Sequence, residues 1–252
     1  MEEPNNPAYL MGHKTDNHIE EDVDDLLRQL TPSEAFHYAY TTNNVRMAEG
    51  LLEYCRDQPF EFFFNKLCAL ATLGSKKAQK ELEKYIEGEI ATASLTTITE
   101  AIGALVTCYN RQDSEKEHID SMEDIFEKAL EQAKTNKERA SILNQKGRLL
   151  AGAQEYIAAQ TIADKVIELN DEEPSYFYNN AILQKKLDNF SLALKYAKKA
   201  VQIADEDDAD HLSLACELLK GTNDPVNMEI AQEYMNRLER ISPLKARLLR
   251  LQ

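Results

Sequence analysis

Tryptophan is absent from the 252 residues, and glycine and proline number only 8 and 7. Strand-rich folds place many such residues in turns, so this scarcity argues against a sandwich or barrel and for helices joined by short connections. Cysteine is also sparse: Cys55, Cys68, Cys108 and Cys216 are scattered, and no two have C-x-x-C spacing. Each sits among apolar neighbours, which is how buried free thiols read in a reducing compartment. No apolar run approaches the ~18–20 residues needed to cross a bilayer. Glu2, Glu3 and Pro4 lack the basic start and apolar stretch of a signal peptide. A cytosolic protein is the expectation, and the glycosylation-like Asn189-Phe190-Ser191 is read as chance.

What is present favours helix. Ala, Leu, Glu, Lys and Gln dominate, all strong helix formers, and a hydrophobic share of 43% is normal for a folded soluble chain. The 44 acids outnumber the 29 bases, for a net charge of −15. So acidic a surface repels phosphate backbones, and no nucleic-acid partner is expected. The charge is uneven. Asp16, Glu20, Glu21, Asp22, Asp24 and Asp25 gather near the start, and Arg237, Arg240, Lys245, Arg247 and Arg250 near the end. Solvated tails are the simpler reading, docking of oppositely charged neighbours the sharper one.

The chain repeats itself. A shift of 34 places carries Leu143 onto Phe177, Gly147 onto Ala181, Tyr156 onto Phe190 and Ala159 onto Ala193. It also carries Ala163 onto Ala197, Val166 onto Ala200 and Leu169 onto Ile203, each pair keeping its physical character. In the next copy Ala181 reaches Ala215 at the same offset. Phe190, Ala193, Ala200 and Ile203 reach Met228, Ala231, Leu238 and Ile241 only at 38. The extra residues are expected in the turn-like Gly221-Thr222-Asn223-Asp224-Pro225.

Two antiparallel helices in close contact explain the pattern. Gly147, Ala181 and Ala215 on first helices approach Ala159, Ala193 and Ala231 on second helices. Tyr156, Phe190 and Met228 are expected to fill the space near each turn. One pair cannot bury its apolar face alone, so neighbours stack.

These residues resemble the tetratricopeptide repeat, whose 34-residue unit places a small residue on each helix twelve apart, as Gly147/Ala159 and Ala181/Ala193 do. Leu143 and Phe177 stand where the family prefers tryptophan, Leu150 and Gln184 where it often has tyrosine, and Pro243 keeps the closing proline. The resemblance implies an all-α, right-handed superhelical solenoid of antiparallel helix pairs.

Upstream the second-helix pattern recurs as Ala48-Leu52-Cys55, Ala78-Leu82-Tyr85 and Met122-Phe126-Ala129, with first helices at about 32–42, 60–73 and 95–111. Six helix pairs are expected. The predicted organisation is an acidic, flexible arm over 1–30, degenerate hairpins over 31–137, three repeats over 138–242, and a basic tail or capping helix over 243–252. A charged loop is predicted over 111–118. Successive helical side chains point about 100° apart, so Phe62, Phe63 and Phe64 cannot share one face. Burial between neighbouring repeats is the favoured outcome for this cluster.

Signatures of catalysis are missing. Gly147 and Gly152 have phosphate-loop separation, but Ala153 and Gln154 stand where lysine and a hydroxyl are required. His13, His18, His37, His118 and His211 lie far apart, so neither metal nor cofactor is expected. Nor does any local arrangement suggest a nucleophile with its base. The reading is a non-enzymatic adaptor that binds a peptide or helix of another protein, with a constitutive subunit of a larger assembly as the alternative. First helices line the groove in tetratricopeptide proteins. The resemblance therefore implies partner-binding residues Asn144, Arg148, Tyr178, Asn179, Ile182, Lys185, Lys186, Leu212 and Cys216. Asn179 matches the groove asparagine that pairs with ligand backbone, a task suited to an amide with both donor and acceptor. Arg148, Lys185 and Lys186 would favour an acidic or carboxylate-ended segment. Ser213 and Glu217 stand where the chaperone-tail binders of the family have basic residues, which disfavours that ligand.

Overall fold

The computed structural model describes residues 19–112, 115–204 and 207–251, and among them fourteen α-helices and no strand. They fall into two compact units, the chain dividing between Gly88 and Glu89. The first holds α1 (Ile19–Leu27), α2 (Pro32–Thr41), α3 (Val45–Glu53), α4 (Phe60–Thr72) and nearly all of α5 (Lys76–Glu89). The second runs from α6 (Leu95–Gln112), α7 (Glu115–Gln132), α8 (Asn136–Gly152) and α9 (Tyr156–Leu169) to α10 (Pro174–Lys186) and α11 (Phe190–Ile203). It ends with α12 (Ala209–Lys220), α13 (Pro225–Ile241) and α14 (Pro243–Arg250).

Local chemistry sets the helix starts. Thr31 and Thr135 head reciprocal capping boxes with Glu34 and Glu138, each carboxylate accepting from the cap's backbone N–H at 2.9 Å. Asp208 and Asp224 cap α12 and α13, and Pro32, Pro174, Pro225 and Pro243 occupy first-turn positions that need no N–H. The turn inside a helix pair carries a left-handed residue: Asn43 (φ 55°), Gly74 (91°), Gln154 (64°), Asp188 (57°) and Asn223 (52°). That backbone state reverses the chain in two or three residues and is tolerated best by Gly, Asn and Asp.

The pairs α8/α9, α10/α11 and α12/α13 meet at small residues. Ala159, Ala181, Ala193, Ala215 and Ala231 are all buried. A methyl group added at Gly147 would lie 3.4 Å from the Ile162 side chain and 3.9 Å from the Ala159 carbonyl oxygen. A network of amides centred on the buried Gln184 and Asn180 also ties α10 to its neighbours. Gln184 Nε2 donates to Gln160 Oε1 and, at 3.3 Å, to Asn180 Oδ1, while Asn189 Nδ2 donates to Gln184 Oε1 at 3.1 Å.

Several expectations are corrected. Part of the supposed arm is helix: α1 packs on α3, with Val23 buried against Gly50, because its apolar side completes the first unit. Residues 1–18, including His13, Asp16 and His18, lie outside the described residues. Most of the loop expected over 111–118 is helical, since α6 continues to Gln112 and α7 starts at Glu115; its Glu and Lys are helix formers. The four inserted residues divide, one lengthening the turn before α13 and three adding a turn to its start. Phe190 (57% exposed) and Met228 (46%) do not fill the space near their turns, because the alanine contacts close the pairs without them. In the aromatic cluster only Phe64 is buried. Phe60 and Phe62 are more than half exposed, and Phe60 stacks on Phe64 and lies tilted against Tyr85, both at 5.6 Å. The basic C-terminus is largely neutralised from within, Arg237 pairing with Asp207, Lys245 with Asp210 and Arg250 with Glu239.

Candidate functional site

The small residues that bring α8 and α9 together also leave a hole beside them. A cavity of about 380 Å³ opens among α8, α9 and α10, within the size range of ligand pockets. Its walls are small or apolar: Gly147, Ala151 and Gly152 from α8; Ala159, Ile162 and Ala163 from α9; Ile182 and Leu183 from α10. Polar groups gather on part of the lining, namely Asn144 and Arg148 of α8, Tyr178, Asn179 and Lys186 of α10, and Asn110 of α6.

Six of the nine residues named from sequence therefore share one cavity: Asn144, Arg148, Tyr178, Asn179, Ile182 and Lys186. Asn179 Nδ2 donates to Asn144 Oδ1 at 3.0 Å, which leaves the Asn144 amide protons and the Asn179 oxygen for another chain. Tyr178 is half-buried, its ring 5.0 Å from that of His211, and burial with the nearby Asp210 and Asp208 raises its pKa.

Arg148 is the unusual member. Its guanidinium donates to Gln145 Oε1 at 2.7 Å and to Thr107 Oγ1 at 3.0 Å, both neutral acceptors. Burial lowers its pKa, with no opposing contribution from an acid. Among the described residues, no carboxylate lines the cavity. Of the groups missed in sequence, Asn110 and Tyr156 come from neighbouring helices. Gly152, Ala163 and Ala151 had left a sign in the run of small residues along 147–163.

The other three belong elsewhere. Lys185 is paired with Glu217 on α12, so its charge is not free for a ligand. Leu212 and Cys216 are not groove residues at all. Both are buried in a core with Met235, Leu238, Ala246 and Leu249, because α14 covers the side of α12 that the repeat alone would leave open. Cys216 Sγ donates to the Ala231 carbonyl at 3.4 Å, and burial pushes its thiol up to about 11. The native thiol is therefore expected to resist alkylation at pH 8, where thiolate is the reactive species. Mass spectrometry after brief iodoacetamide exposure checks this, with Cys216 labelled only once the chain is unfolded. Among the described residues no three His, Cys, Asp or Glu converge as metal ligands, and no helix is long and apolar enough to cross a membrane.

No protein-family model matches the chain, and no curated protein matches it either. Solved structures do resemble it. PilF of Pseudomonas aeruginosa is 18% identical, with 92% of this chain and 98% of that one covered and a TM-score of 0.49. YrrB, described as a TPR protein with an unusual peptide-binding site, is 19% identical, with 87% and 100% covered and a TM-score of 0.44. MamA of Desulfovibrio magneticus RS-1 is 13% identical, with 66% and 96% covered and a TM-score of 0.43. By its own recurring pairs, with small residues at Gly147/Ala159, Ala181/Ala193 and Ala215/Ala231, this all-α chain is a helical-repeat protein.

Proposed function

We infer that the chain is a non-enzymatic adaptor that holds a segment of a partner protein against α8 and α10. The observation that carries this reading is the cavity itself. It has apolar walls for a side chain and, on the same two helices, the paired amides of Asn144 and Asn179 for a backbone. Exposed main-chain N–H and C=O groups of an extended segment need both a donor and an acceptor, and this pair retains one of each. Capture of partners from the native cell tests the reading, using the wild-type chain beside Asn144→Ala/Asn179→Ala. Loss of at least one partner by the folded variant is expected. Retention of every partner removes the groove from consideration.

The constitutive-subunit reading is favoured by a different feature. Ile241, Leu244, Leu248 and Leu251 are exposed at the C-terminal end, with Leu244 and Leu248 one turn apart on α14. An assembly partner covering them would be lost on Leu244→Ser/Leu248→Ser and kept by the asparagine variant.

A further inference from the structure

The adaptor reading leaves open what chemistry the cavity selects, and the charge around it narrows the answer. The protein carries 44 acids, yet among the described residues the cavity is lined by two cations, Arg148 and Lys186, and by no acid. Lys186 is exposed and Arg148 half-buried; neither has an ion-pair partner among the described residues. A guanidinium has five N–H donors. Arg148 uses two, on Gln145 and Thr107, and those neutral oxygens satisfy hydrogen bonds without balancing the charge.

We propose that this cavity is a specificity pocket for one glutamate side chain of an extended partner segment, with Arg148 as its counter-ion. The inference rests on the groove reading above and adds the identity of the inserted residue. Charge and preorganisation favour an anion. The arginine is already partly withdrawn from water in the unliganded fold, so its share of the desolvation cost is not incurred again when a carboxylate arrives. Gln145 and Thr107 also hold the guanidinium in place, and its planar fork matches a carboxylate's two oxygens.

Shape favours a side-chain carboxylate over a chain terminus. Gly147, Ala151, Ile162 and Ala163 offer apolar contact and no hydrogen bond, which suits methylenes standing between a backbone outside and a carboxylate within. Glutamate has two such methylenes and aspartate one. Asn144 and Asn179 are left to hold the backbone, and Lys186 adds attraction at the exposed side.

The test uses the full chain and arrays of C-terminally amidated heptapeptides. The central position is Glu, Gln, Asp or Leu, and the flanks are randomised without acids. A companion array ends in a free carboxylate and has no Glu. The best Glu peptide is then measured by fluorescence anisotropy. It is expected to bind at least about tenfold more tightly than its Gln isostere, a difference of about 1.4 kcal/mol. Arg148→Gln should abolish that preference, so that the Glu and Gln peptides become equivalent in a double-mutant cycle. Ala151→Leu, which fills the cavity, should weaken the Glu peptide to the same degree. Lys186→Gln, on the surface, should weaken it less.

Equal binding of Glu, Gln and Leu peptides overturns the proposal. So does a Glu preference that survives Arg148→Gln, binding by the free-carboxylate array alone, or no binding on any array. Should Arg148→Gln fail to fold, the wild-type arrays and Lys186→Gln still decide. In every such case the adaptor reading stands or falls separately, on the Asn144/Asn179 capture experiment.

Discussion

Replacing Ala193 by leucine is expected to cost about 1–3 kcal/mol of stability, whereas Phe190→Ser, three residues earlier, should change it by no more than about 0.5 kcal/mol. Ala193 is fully buried where α11 meets α10, in a core shared with Ala181, Ala197 and Ala215. A larger side chain has no free volume there, so it must drive the two helices apart or leave its preferred rotamer. Phe190 begins the same helix but is more than half exposed, and its truncation leaves little cavity behind. Urea denaturation of both variants, followed by circular dichroism, compares them directly. Equal losses would mean that the aromatic at the helix start closes the pair after all.

Phe126→Ala is expected to cost more, about 3–5 kcal/mol, a large part of the stability of an ordinary domain. Phe126 is 1% exposed on α7, which packs against both α6 and α8. The transfer free energy of the ring and the cavity left behind add together. Repeat arrays are stabilised chiefly by contacts between neighbours, so the damage should begin at α6–α8 and reach the cavity that α8 walls. Hydrogen exchange in the variant is expected to rise first in α7 and α8. A variant as stable as the parent, with unchanged protection in α8, would show that α7 does not support this part of the array.

The two substitutions mark how far the sequence could be read. Alanine-sized residues at 34-residue spacing located the closest approaches of α8/α9 and α10/α11, and Ala159, Ala181 and Ala193 are indeed buried there. A large residue also recurs at the head of each second helix, as Tyr156, Phe190 and Met228, but Phe190 and Met228 are exposed. Periodicity reports that a position has a constant environment, not which environment it is. The cavity was legible in the same partial way. Residues projecting from one face of α8 and α10 converge because the two helices are consecutive copies, and that placed Asn144, Arg148, Asn179 and Lys186 together. The third copy failed at Leu212 and Cys216, since α14 has no counterpart earlier in the repeat and buries them.

Sequence alone determined most of the helices, the register of the repeated pairs and the small residues between them, but neither α1 nor the start of α7. Capping groups, propensity and apolar spacing act within a few turns of chain, so they are written in the local sequence. Tertiary structure alone decided which charges remain free and where volume is left over. Lys185 is neutralised by Glu217 from 32 residues away, while Arg148 meets only the neutral Gln145 and Thr107. Such differences depend on which side chain a non-adjacent helix brings within reach of a charge, and Coulomb attraction at a few ångströms is sensitive to that placement.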